Sequence, residues 1–182
     1  MQRNPCGSQL VRVVRQVLGC TLIAACGSHG TRADAQVAGG GTTCSIVLTG
    51  AQSGSPPCSD DRTAMYGIKE QTTLVGFSSN DSLPGVMIAI KFVGAPATKT
   101  YRSSEAGASQ GIMVRRGNMR WVAQGGTQDH PLGSYVLTLT SVKEVPFATD
   151  VKGYDVHGTI TATLQPDPGT GASGTVTLSA RF

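Results

Sequence analysis

Between Tyr154 and Phe182 the chain alternates apolar and polar residues twice, with a turn between, and this pattern constrains the fold more than any other feature of the sequence. Tyr154, Val156, Gly158, Ile160, Ala162 and Leu164 alternate with Asp155, His157, Thr159, Thr161 and Thr163. After a Pro- and Gly-rich connection at 165–172, Gly174, Val176, Leu178, Ala180 and Phe182 alternate with Thr175, Thr177, Ser179 and Arg181. Successive side chains of a strand point to opposite faces, so a period of two marks a hairpin with one buried and one wet face.

The same period recurs upstream. Cys44, Ile46 and Leu48 share a face, as do Val86, Ile88, Ile90 and Phe92, and Tyr135, Leu137 and Leu139. Weaker strands are expected around 62–67, 72–77, 110–115 and 118–123, the last two joined by Arg116-Gly117. No segment of this region shows a 3.6-residue period with caps. The expectation is an all-β body over 44–182: a single antiparallel β-sandwich of about eight to ten strands, with a small closed β-barrel as the alternative. Only 14% of residues are charged and 24 are Gly, a composition that excludes coiled coils, long-helix bundles and charged disordered tails. With few aromatics, the core is expected to rest on Val, Ile and Leu.

The first 43 residues follow different rules. Residues 1–25 hold Arg3, Arg12 and Arg15 but no acid, and turn apolar from Val17 to Ala25. A positive start followed by a short apolar stretch reads as a secretory signal, here expected as a signal helix, and nine residues are far short of the roughly 20 that span a membrane. The stretch closes on Ile23-Ala24-Ala25-Cys26, followed by Gly27 and Ser28. This resembles the lipobox of bacterial lipoproteins, and the resemblance implies cleavage before Cys26 and lipidation of its thiol. Ala33-Asp34-Ala35 offers a rival A-x-A cleavage site, but it would leave an unusually long polar segment containing His29 and Arg32. The expected organisation is therefore a signal peptide at 1–25, a lipidated N-terminus and Gly-rich tether at 26–43, and the β domain. Removing three arginines takes the formal charge from +4 to +1, which withdraws most support for a nucleic-acid partner.

Cys6 and Cys20 fall in the discarded segment, leaving Cys44 and Cys58 as an even pair in an exported chain, most simply a disulfide. A redox or metal pair wants closer spacing and added His or Cys.

Other residue patterns bear on chemistry. Gly169-Thr170-Gly171-Ala172-Ser173-Gly174 matches G-x-G-x-x-G, but it opens a strand rather than a helix and reads as a flexible hairpin loop. Asp155 and His157 share a strand face, and Asp129 beside His130 would have to join them to ligate a metal. No Ser lies in G-x-S-x-G, and the Asp60-Asp61 and Asn80-Asp81 pairs lack a calcium-loop pattern. Arg115, Arg116 and Arg120 flank a tight turn beside Trp121, a group that would grip an anionic polymer or lipid headgroup through charge and stacking, or else form a solvated hairpin tip. Thr159, Thr161, Thr163, Thr175 and Thr177 are expected on one outer face.

No catalytic residue, metal or cofactor is expected. The resemblance implies a membrane-anchored envelope lipoprotein acting as a non-enzymatic binding or structural module, with a Gly- and Thr-rich β domain of the kind lipoproteins carry. The membrane, through the N-terminal lipid, and an envelope protein or polymer are the expected partners. The absence of Asp after Cys26 favours the outer membrane, on its periplasmic or surface face. The alternative is a carrier of a lipid or other apolar ligand in a cavity between the strands; an exported metal-dependent or hydrolytic enzyme ranks behind both.

Overall fold

Ten strands and no helix make up the regular structure of the computed structural model, which describes residues 44–58, 63–79, 84–124 and 132–182. The strands are β1 (Ser45–Gly50), β2 (Thr63–Gly67), β3 (Thr72–Ser78), β4 (Gly85–Val93), β5 (Thr100–Arg102), β6 (Ser109–Arg116), β7 (Met119–Gln124), β8 (Ser134–Ala148), β9 (Val151–Pro166) and β10 (Val176–Arg181). All pairings are antiparallel. The ten belong to one hydrogen-bonded sheet in the order β1-β10-β9-β2-β3-β4-β6-β7, with β5 and β8 joined to it through β9.

β9 organises the sheet. β8 runs along one of its edges, while the other edge takes β2 at Val151–Tyr154 and then β10 at Thr159–Leu164. At its far end Gln165 and Pro166 meet Val122 and Trp121 of β7. The sheet therefore doubles back, and its inner faces share one core in a sandwich-like manner. The expected all-β architecture and strand number are those found.

Burial follows the alternation residue by residue. In the β9–β10 hairpin, Ile160, Ala162, Leu164, Val176, Leu178 and Ala180 are buried, and Thr161, Thr163, Thr177 and Ser179 are exposed. Across the strands the outer face reads Thr49, Thr177, Thr163, Ser134 in one row and Ser45, Arg181, Thr159, Thr138, Thr100 in another, which bears out a Thr-rich outer surface. Thr175 lies just outside β10. The core is chiefly aliphatic, but the few aromatics are concentrated there. Phe77 packs on Phe182 with ring centroids 4.9 Å apart, Phe92 stacks on Tyr101 at 3.9 Å, and Trp121 and Tyr135 are among the largest buried side chains.

Cys44 and Cys58 form a disulfide, with Cα atoms 5.7 Å apart. It ties the start of β1 to the segment leading into β2, and both half-cystines pack against the core.

The structure differs from the sequence reading in strand extent. β8 and β9 run on as a long hairpin arm, Ser141–Ala148 against Val151–His157, joined at Thr149-Asp150, with β2 on the far edge of β9 at Val151–Tyr154. Along β8 the alternation is broken by irregularities between Leu139 and Ser141 and between Val145 and Ala148, which shift the apolar period out of phase and conceal the strand. β5 has only three residues, too few to show a period, and owes its form to pairing with Val136–Thr138.

Candidate functional site

The site is built where the β6–β7 turn meets the connection from β9 to β10. In the β6–β7 pairing Val114 faces Trp121, and both are buried. The next pair outward, Arg115 and Arg120, must therefore lie side by side on the opposite, solvent face. Like charges directly opposed across a ladder oppose strand pairing by a few tenths of a kcal/mol to about 1 kcal/mol, so the arrangement calls for a counter-charge. Asp167 supplies one, its carboxylate 2.9 Å from the Arg120 guanidinium. Among the described residues no carboxylate lies within 4 Å of Arg115. Arg116 points to the other face and donates to Gln52 at 3.4 Å.

The β9–β10 connection, expected as a flexible hairpin loop over 169–174, is hydrogen-bonded to β7 at several points. Trp121 is only 1% exposed, and a buried indole N–H must find an acceptor. It donates to the carbonyls of Ser173 at 3.2 Å and Gly174 at 3.0 Å. The Asp167 amide donates to the Arg120 carbonyl at 2.9 Å, the Arg120 amide to Thr170 Oγ1 at 3.3 Å, and Thr170 Oγ1 to the Asp167 carbonyl at 2.7 Å. Burial also removes Trp121 from any stacking role at the surface. It acts instead as the peg that holds the loop against β7.

Between the turn and this loop lies an open groove of about 670 Å³, lined by Arg115, Gly117, Asn118, Arg120, Gly169, Thr170 and Gly171. Its three glycines have positive φ (60°, 78° and 73°), and no atom lies within 4 Å of where a Cβ would stand. The backbone is thus bare to solvent along the groove. Geometry of this kind can hold an anionic group between two guanidinium forks and exposed main chain.

A second, much smaller space lies under the loop between β5 and β6. It measures about 40 Å³ and is lined by Ile90, Phe92, Val93, Lys99, Tyr101, Arg102, Glu105, Ala106, Ala108 and Tyr135. Apolar ligand pockets run to several hundred Å³, so this space is an order of magnitude too small for a lipid chain. Tyr135 is 2% exposed and its hydroxyl has no hydrogen-bond partner among the described residues. Burial, with the Glu105 charge adding to it, pushes its pKa up to about 12. Tyr101 is also raised, chiefly by burial, although its hydroxyl donates to the Ala97 carbonyl at 3.3 Å and accepts from the Ala97 amide at 2.9 Å. Lys99 sits 4.6 Å from the Tyr101 ring centroid.

The other sequence candidates fall apart from these sites. Asp155 and His157 do share the outer face of β9, 3.9 Å apart, but among the described residues no group of three metal-ligating side chains forms. Cys26, Asp60, Asp61, Asn80, Asp81, Asp129 and His130 lie outside the described residues. The role of Asp167 was missed by sequence reasoning. Its only local signal was its place in Pro166-Asp167-Pro168-Gly169, a turn sequence that hides a cross-strand partner.

Comparison with known protein families, curated proteins and solved structures found no match to the chain.

Proposed function

We propose that this chain is an exported lipoprotein, held to the cell envelope by lipid on Cys26, whose β domain works as a non-enzymatic binding or structural module. The observation that carries the reading is the Cys44–Cys58 disulfide. Stable disulfides belong to oxidising compartments outside the cytosol, and this one closes the domain eighteen residues after a lipobox-like Ile23-Ala24-Ala25-Cys26. In this reading the Gly-rich residues 26–43 are the tether. The absence of Asp after Cys26 favours the outer membrane. The domain presents a pinned, basic groove on a rigid sheet, a geometry suited to holding a partner.

Mass spectrometry of the mature protein tests this reading. A diacylglyceryl-modified N-terminal Cys26 is expected. An unmodified N-terminus at Gln36 refutes the anchor, and Cys44 and Cys58 alkylating freely without reductant would refute the oxidised compartment.

A further inference from the structure

We infer that the groove between the β6–β7 turn and the Asp167–Gly171 loop is a binding site for a phosphate-bearing group, with Arg115 and Arg120 as its two charged contacts. The inference deepens the binding role proposed above and rests on that reading only for where the ligand would come from.

Three observations carry it. First, Arg115 and Arg120 are register partners on the outer face of adjacent strands, so their charges are held together by the backbone and not by chance side-chain drift. An anion between them converts a repulsive pair into two attractive ones. Second, Asp167 engages Arg120 from the loop side at 2.9 Å and leaves Arg115 without a carboxylate among the described residues, so the cationic groove is only half neutralised. Third, the loop is fixed before any ligand arrives. Trp121 Nε1 holds Ser173 and Gly174, and Thr170 Oγ1 receives the Arg120 amide. A preformed site spares the ligand the cost of ordering it.

The groove suits a tetrahedral oxyanion better than a carboxylate. A carboxylate has two oxygens, both engaged by one guanidinium fork, whereas a phosphate has a further oxygen free for a second fork and for nearby main chain. The open floor at Gly117, Gly169 and Gly171 permits the close backbone approach that a phosphate requires. The volume of about 670 Å³ exceeds a bare phosphate and leaves room for the group that carries it.

The source of the phosphate is either a soluble phosphomonoester or a lipid headgroup, and amide spectra of the detergent-solubilised full chain separate the two. Glycerol phosphate is titrated in one arm and a short-chain phosphatidylglycerol in the other, with the matching diacylglycerol as the phosphate-free control. Shifts are expected at the amides of Gly117, Asn118, Arg120 and Gly169–Gly171. Arg115→Gln should weaken binding about tenfold, as expected for loss of a charge-assisted contact, with an unchanged melting temperature. Lys91→Gln, a charge removed outside the groove, should leave binding as it was. A response in either arm supports the site and identifies its source. Absence of shifts in both arms, an equal response to diacylglycerol, or undiminished binding by Arg115→Gln overturns it. The N-terminal mass measurement is unaffected by any of these results, so this inference and the anchoring proposal fail separately.

Discussion

Tyr135→Phe is the sharpest test of how this core is built. The side chain is buried at 2% exposure and its hydroxyl has no partner among the described residues, so the substitution removes a polar atom whose burial costs energy and leaves the ring in place. A buried hydroxyl without a hydrogen bond costs about 1–3 kcal/mol. Part of that returns when the atom is deleted, and a gain of about 1 kcal/mol is expected at pH 7, or a few degrees in melting temperature for a domain of this size. The alkaline limb gives a second reading. Folding raises the Tyr135 pKa from its ordinary 10.0 to about 12. The folded state thus holds the proton more tightly than the unfolded one, and the associated stability is fully present below pH 10 and lost as pH climbs towards 12. Two pH units correspond to roughly 2–3 kcal/mol. Urea unfolding of wild type and Tyr135→Phe from pH 7 to 12 measures both effects. Wild type should lose stability more steeply than the variant above pH 10. A loss of more than about 1 kcal/mol at pH 7 on making the variant would mean that the hydroxyl carries a hydrogen bond, and parallel alkaline limbs would mean that folding does not raise its pKa; either refutes the reasoning.

Replacing Cys44 and Cys58 by Ser opens a loop of sequence separation 14 and should lower stability by about 3 kcal/mol in the chain-entropy account, read as a lower urea midpoint. Gly111→Ala should be severe, because the added Cβ would stand 1.9 Å from the Ala123 carbonyl oxygen across the β6–β7 ladder. Gly169→Ala meets no atom and carries only the cost of its positive φ, about 1–2 kcal/mol, so the two variants should separate clearly in thermal melts. Trp121→Phe removes the donor to Ser173 and Gly174 and should speed hydrogen exchange in the 166–175 connection ahead of the rest of the sheet.

Strand existence and facing were legible wherever the period of two ran unbroken. Val86 to Phe92 and the pair of runs from Tyr154 to Phe182 gave both the strands and their buried faces, because each residue's burial there is decided by the pleat alone. The arm at Ser141–Ala148 escaped because Thr140 and the Pro146-Phe147 pair interrupt the register, and a pattern reader sees noise where the chain has bulged. The groove was half legible. Charge and turn marked Arg115, Arg116 and Arg120, but the pairing that sets Arg115 beside Arg120 and turns Arg116 away depends on register. Asp167 reaches Arg120 from a loop 47 positions later, a distance no local pattern spans. Trp121 beside the arginines suggested a stacking surface. Its inward position on β7 shows that neighbours in sequence on a strand are on opposite sides of a wall.

The placement of β9 also sets a clock. The strand that joins β2, β7, β8 and β10 is the ninth of ten, and the first strand finds its partner only in the last. Contacts of such long sequence separation form slowly, since the loop entropy must be met before any contact rewards it. Strands β1 to β7 therefore have no closed arrangement to settle into until residues 151–182 are available. Closure of the sheet is thus expected to come late in folding, after the sequential pairings among β2, β3, β4, β6 and β7, because only β9 joins the two ends of that run.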